Sequence, residues 1–274
     1  MGAAVWFKRF VWLAMIGVSV ACATNPVTGR RQFMIVSEGQ AITASAEAYV
    51  AMLAPLDKEG KIDNNPAVTE RVRRITERLI PHAVAYRPET ADWEWTVKVI
   101  DDPKTVNAFC MAGGRMAIYT GLIDQLNATD DEIAQVMGHE IAHALSAHTA
   151  EKMSVALATD LAVTGVAMTQ DNKGLALAGA SMAAALAIKL PNSREAETEA
   201  DRIGIELAAK AGYDPRAAAT LWEKMGKNSG GSSKFEFFST HPAPAKRQET
   251  LAKLADEMMP YYQAKGERPV FPLK

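Results

Sequence analysis

The chain has 274 residues, of which 48% are hydrophobic and 23% charged, with a formal net charge of −2; this is the composition of one globular domain with appendages, not of a disordered or fibrous chain. So even a balance lacks the basic face needed to neutralise phosphates, which removes nucleic acid from the expected partners. The two cysteines, Cys22 and Cys110, are too few for a disulfide framework or a thiolate-built zinc site, so any metal must be held by imidazole and carboxylate.

In chain order, Lys8 and Arg9 precede an apolar run from Phe10 to Val20. This is the layout of an export signal, and the run is shorter than the ~20 residues a membrane span requires. Ala21-Cys22 resembles a bacterial lipobox, although Ser19 stands where such boxes usually carry leucine. The expectation is a signal peptide over 1–21, Cys22 as the lipidated first mature residue, and a linker over 23–35. An ordinary secretory signal cut near Ala21 or Ala23 is the plainer alternative. With Ala23 at the second mature position, the resemblance to sorted lipoproteins implies an outer-membrane anchor facing the periplasm.

Ser37-Glu38-Gly39-Gln40 fits a capping box opening a helix toward Leu53. Pro66 starts a second helix, with Val68, Val72, Ile75 and Leu79 forming one apolar stripe. From Trp93 to Ile100 the period changes to two, which predicts a half-buried strand. Val106 to Cys110 and Arg115 to Thr120, divided by Gly113-Gly114, are further strand candidates, and together they predict a small antiparallel sheet. The remainder reads as mainly helical.

Thr129-Asp130-Asp131-Glu132 is a second capping box, and the helix it opens carries His139-Glu140-Ile141-Ala142-His143. Residues four apart on a helix share a face, so both imidazoles can reach one ion, while Glu140 is placed to act on water rather than to bind metal. A third ligand must come from elsewhere. The metzincin pattern fails, because Thr149 and Ser146 occupy the positions where it needs histidine and glycine. His148 falls one place short and reads as structural. Further on, Asn192-Ser193-Arg194-Glu195 fits another capping box, opening a helix through Glu197, Glu199 and Asp201. Glu197 and Asp201 are four apart, so one can bind metal while the other orients a ligand histidine. Glu195 and Glu199 read as solvated, although spacing alone does not choose Glu197 over Glu199.

Four separated motifs now stand in order: Val106-Asn107-Ala108-Phe109 with Gly113-Gly114; His139 to His143; Ser193-Arg194 with Glu197 and Asp201; and Thr240-His241-Pro242 with Arg247. The chain resembles the HtpX- and BepA-type metallopeptidases, the family that includes the CAAX prenyl endopeptidases, over roughly residues 32–254. That resemblance implies one zinc ion per chain, Glu197 as third ligand and Asp201 as the carboxylate behind a ligand histidine. It also implies His241 over the metal, as a resting ligand or an oxyanion donor, and Asn107 at a sheet edge where substrate backbone pairs.

The expected fold is therefore α+β: a mainly helical gluzincin-type domain over 36–274, with the small antiparallel sheet beside the active-site helix. The expected activity is that of a zinc endopeptidase with Glu140 as general base. The resemblance points to misfolded or misassembled envelope proteins as substrates, and to outer-membrane assembly machinery as a partner. A chaperone-like assembly factor that seldom cuts is the alternative. Two segments, Val155 to Met168 and Gly174 to Ile188, are too short or too polar to span lipid, and are expected to pack over or beside the site as a lid. The Gly/Ser-rich stretch from Asn228 to Ser233 could let His241 move.

Overall fold

The local signals act where the sequence places them. Ser37 accepts a bond from the Gln40 amide while the Gln40 side chain accepts from the Ser37 amide, starting helix α1 (Glu38–Lys58). Asn65 caps α2 (Pro66–Tyr86), whose stripe residues Val72, Ile75 and Leu79 are fully buried. The reciprocal box of Thr129 and Glu132 starts α4 (Asp130–Leu145). In the computed structural model the described residues are 22–164, 182–228, 236–242 and 246–274. The expected signal peptide, much of the expected lid and most of the Gly/Ser-rich stretch lie outside them.

A short hairpin, β1 (Cys22–Thr24) and β2 (Arg31–Phe33), precedes α1. Part of the segment expected to be a linker, 23–35, is thus folded onto the domain. The main sheet holds β3 (Thr96–Ile100), β4 (Ala108–Met111) and β5 (Arg115–Tyr119) in the order β3-β5-β4. Its β4–β5 pair is antiparallel, as expected. The β3–β5 pair is parallel, Thr96 facing Arg115, so the sheet is mixed. The strand expected over Trp93–Ile100 is shorter because Trp93 and Trp95 leave the ladder for the core, where the Trp95 indole donates to the Thr90 carbonyl.

After β5 come α3 (Thr120–Gln125), then α4. The chain turns at Ala147, whose φ is +54°, and enters α5 (His148–Thr164). A helical run over 182–189 leads to α6 (Arg194–Lys210), α7 (Ala217–Asn228), α8 (Glu236–Thr240) and α9 (Arg247–Gln263). This is the α+β architecture the sequence implied, with a main core in which α2, α4, α6 and the sheet bury Ile75, Leu79, Met116, Ile118, Ile133, Met137, Ile141 and Leu207. No helix among the described residues is long and apolar enough to cross a membrane.

One contact sets the geometry of everything below. At Gly138 of α4 and Gly204 of α6 the two helices touch backbone to backbone. A Cβ on Gly204 would stand 2.6 Å from the His139 nitrogen, and one on Gly138 2.7 Å from the Gly204 carbonyl oxygen. Gly204→Ala therefore has no side chain to displace and must part the helices. We expect about 1–3 kcal/mol of destabilisation in metal-free thermal or urea unfolding. Gly39→Ala, with nothing within 4 Å of the added carbon, serves as the neutral control. Equal stability of the two variants would refute the close-contact reading.

Candidate metal centre

Because they stand one turn apart on α4, which is buried all round from Glu132 to Leu145, His139 and His143 present their rings side by side, with Nε2 atoms 3.0 Å apart. From α6, Glu197 enters between them: its Oε1 lies 3.3 Å from His143 Nε2 and its Oε2 3.5 Å from His139 Nε2. His241, at the end of α8, completes the group, with Nδ1 at 3.2 Å from His139 Nε2 and 2.9 Å from Glu197 Oε1. All four are buried, and they alone among the described residues form a group able to hold a metal ion.

The spacing fits an ion. Zinc ligand bonds of about 2.0–2.2 Å in a tetrahedron set neighbouring donors about 3.3–3.5 Å apart. The donor chemistry fits too: three imidazole nitrogens and a carboxylate oxygen converge on one point, more lone pairs than shared protons can satisfy.

Around the donors, a frame of polar groups fixes their rings. Asp201 Oδ1 lies 3.1 Å from His139 Nδ1, which keeps the Nε2 lone pair toward the cluster. Arg247 donates to Glu197 Oε2 at 2.7 Å and to Asp201 Oδ1 at 2.6 Å. Its guanidinium sits over the Trp222 ring, 4.0 Å from the centroid. Asn192 donates to Glu197 Oε1 at 2.8 Å. Phe237 stacks on the His241 ring with centroids 4.4 Å apart.

The charges follow from this frame. Burial favours a neutral Glu197, yet the imidazoles of His241, His139 and His143 outweigh it and hold the carboxyl far below the usual range. Burial opposes charge on His139, but Asp201 and Glu197 prevail and raise it to about 9. His143 is pushed well down by burial. Burial also raises Glu140, whose Oε1 is buried without a hydrogen-bond partner and lies 3.3 Å from His241 Nε2. Glu140 lines a cleft that reaches the donors, together with Phe109, Cys110, Lys152 and Thr240. Burial lowers Lys152 to about 8.

The structure brings together His139, Glu140, His143, Glu197, Asp201 and His241. Asn107 is not among them: its side-chain oxygen accepts from the Ala108 amide beside it, and its side chain does not line the cleft. Cys110 is a buried thiol raised by desolvation, as a packing role requires. Cys22 lies in β1. One expectation needs correction. Glu199 is not solvated but bonded to His148 and Arg30. His148, although no member of the donor group, hydrogen-bonds the ring of His143. Asn192, read as a helix cap, leaves that role to Ser193 and bonds Glu197 instead; Trp222 and Phe237 were not singled out from the sequence, since nothing local marks a residue whose partner lies tens of positions away.

Comparison with known proteins bears on the same residues. Residues 66–255 match the family described as peptidase family M48. The chain is 34% identical over 268 residues to a mitochondrial metalloendopeptidase OMA1 of Schizosaccharomyces pombe, covering 95% of this chain and 75% of that one. It is 37% identical over 190 residues to the OMA1 of Arabidopsis thaliana, covering 68% of this chain. It is also 31% identical over 210 residues to a putative beta-barrel assembly-enhancing protease of Vibrio cholerae, covering 73% of this chain. It spans 37% of the Arabidopsis protein and 41% of the Vibrio protein.

Proposed function

The chain belongs to peptidase family M48 and is a zinc metalloendopeptidase, and from that premise we propose that His139, His143 and Glu197 hold the zinc and that Glu140 is the general base. The observation carrying this reading is the convergence of the buried donors on one point, with an unpartnered carboxylate oxygen beside them.

Bound zinc supplies Lewis acidity, polarising the scissile carbonyl and bringing the pKa of water down to about 7. Glu140 takes the proton of the attacking water on its free oxygen and passes it to the leaving amine nitrogen. Asp201 keeps the His139 proton on Nδ1, and Arg247 bridges Glu197 and Asp201, holding the two carboxylates side by side. His241 occupies the place a substrate needs, because catalytic zinc sites bind through three protein ligands and keep the fourth position open. Turnover on this reading requires its ring to swing aside, after which its N–H can donate to the oxyanion. Strand β4, at the edge of the sheet and beside the cleft, offers backbone for an extended substrate to add as a strand. Asn107, directly before that strand, would support this edge by accepting the Tyr119 amide on its carbonyl, which ties the start of β4 to β5.

We further place the protein in the bacterial periplasm, held to the outer membrane through lipid on Cys22, cutting misfolded or misassembled envelope proteins. The name of the Vibrio relative, a beta-barrel assembly-enhancing protease, supports this substrate class and a link to outer-membrane assembly machinery. The names of the OMA1 relatives favour a mitochondrial setting instead. The bacterial setting rests on the resemblance of Ala21-Cys22 to a lipobox.

The test uses the purified zinc-loaded chain with one outer-membrane β-barrel protein, presented unfolded and folded. Cleavage of the unfolded form alone, stopped by chelation and restored by zinc, is the expected result. Binding without cleavage of either form would favour the chaperone-like alternative.

A further inference from the structure

Helix α6 carries acids at alternate positions, Glu197, Glu199 and Asp201. The first and third face the donor group. Glu199 faces away from it, yet it is not idle. Its Oε2 lies 2.9 Å from His148 Nε2. His148 is only 1% exposed, and its Nδ1 lies 2.8 Å from His143 Nδ1.

Chemistry gives this chain one direction. An ionised carboxylate only accepts, so the His148 proton sits on Nε2 and its Nδ1 is an acceptor. His143 must then carry its proton on Nδ1, which leaves the lone pair on Nε2, the atom facing His139 and Glu197. His139 reaches the same state through its direct partner Asp201. His143 reaches it through an intervening imidazole.

The far end of the chain is held from outside the catalytic helices. The turn of the β1–β2 hairpin closes over Glu199: Asn25 donates to Oε2 at 3.3 Å, Arg30 Nε donates to Oε2 at 3.0 Å, and the Thr28 hydroxyl donates to Oε1. Arg30 also forks onto Glu151 of α5 at 2.9 and 2.7 Å, and Gln32 bonds both Glu151 and the Ser146 carbonyl. The hairpin is thus fixed to both helices that flank the relay.

We infer that His148, Glu199 and Arg30 are positioning residues of the metal centre, and that the hairpin ahead of the catalytic helices is its outer wall, setting the ring plane and tautomer of His143. This rests on His143 being a ligand, as proposed above. A purely structural cluster would predict something else: its loss would lower the stability of the metal-free chain and leave metal affinity untouched.

The experiment measures zinc affinity by chelator competition, and the visible spectrum of the cobalt-substituted site, in the full chain. The variants are His148→Leu, His148→Asn, Arg30→Ala and the pair His148→Leu/Arg30→Ala. Loss of such an orienting partner typically weakens metal binding about 10–100-fold, which is expected for His148→Leu, together with a changed cobalt spectrum. Asparagine places an oxygen near where Nδ1 stands, so His148→Asn should recover part of the loss. Arg30, partly exposed and remote from the core, can be removed without unfolding. Its loss should weaken zinc by about threefold or more alone, and by almost nothing further on top of His148→Leu. Wild-type affinity in His148→Leu and Arg30→Ala alike, or losses that add in full, would overturn the inference. Wild-type zinc affinity in His143→Ala would instead remove the ligand assignment, so the two failures read apart.

Discussion

Glu140→Gln is expected to lower peptide hydrolysis by about 10²–10⁴-fold or more while leaving one zinc per chain and the fold unchanged. The expectation comes from what surrounds the carboxylate. Glu140 is 3% exposed, and its Oε1 lacks a hydrogen-bond donor; burial raises its proton affinity against the opposing pull of the His241 and His139 imidazoles. A base in that condition is suited to taking a proton from water near neutral pH. Glutamine keeps the shape and cannot take the proton. It also removes the cost of an ion in a dry site, so metal-free stability should hold or rise. Glu140 stands outside the donor group, so metal content, measured on the same sample as kcat, is the control. Zinc lost along with activity would make Glu140 a ligand and move the base elsewhere.

How much of this was legible depended on whether the cause was local. The starts of α1 and α4 are written in a few consecutive residues, Ser37 to Gln40 and Thr129 to Glu132, and the His139/His143 pair follows from helical spacing on one element. The direction of β3 does not: its partner is β5, with β4 on the far side, and alternation in a strand carries no information about its neighbour. Choosing between Glu197 and Glu199 requires the rotation of α6 against α4. That rotation is set by the Gly138–Gly204 contact, two glycines 66 positions apart with no side chains to announce it.

His148 shows the same limit in another form. Continuing the helix of His139 and His143 carries position 148 off the metal face, which is why it read as structural. The helix, however, ends at Leu145, Ala147 takes a positive φ, and α5 begins at His148 itself. The turn brings the ring back to within 2.8 Å of His143. Glu199 was read as solvated because the residues covering it, Asn25, Thr28 and Arg30, lie in a stretch whose turn-rich composition reads as a linker. Polar composition there reflects bonding to Glu199 and Glu151 rather than exposure to water.

Glu197→Ala carries the second large effect, loss of the metal. Structural zinc sites with four ligands bind with about 10–16 kcal/mol, so one ligand is worth roughly 3 kcal/mol, or more than about 100-fold in affinity. A second consequence bears on stability. Arg247 donates to both Glu197 and Asp201, and its side chain is almost wholly buried. Truncating one carboxylate leaves a guanidinium with half its compensation, which costs about 3–5 kcal/mol when a buried pair is broken outright and less here because Asp201 remains. The helix itself should survive: α6 is capped by Ser193 and anchored by Ala200, Ile203 and Leu207 in the core. The expected signature is therefore a retained helical circular-dichroism spectrum, a lowered melting temperature and no bound zinc. Glu197→Gln, which keeps an acceptor oxygen toward Arg247, should restore much of the stability but not the metal. That divergence separates a ligand from a buried ion-pair partner. If zinc stays in Glu197→Ala, His241 must supply the third bond, since Glu199 is occupied by His148 and Arg30 on the opposite side of the helix.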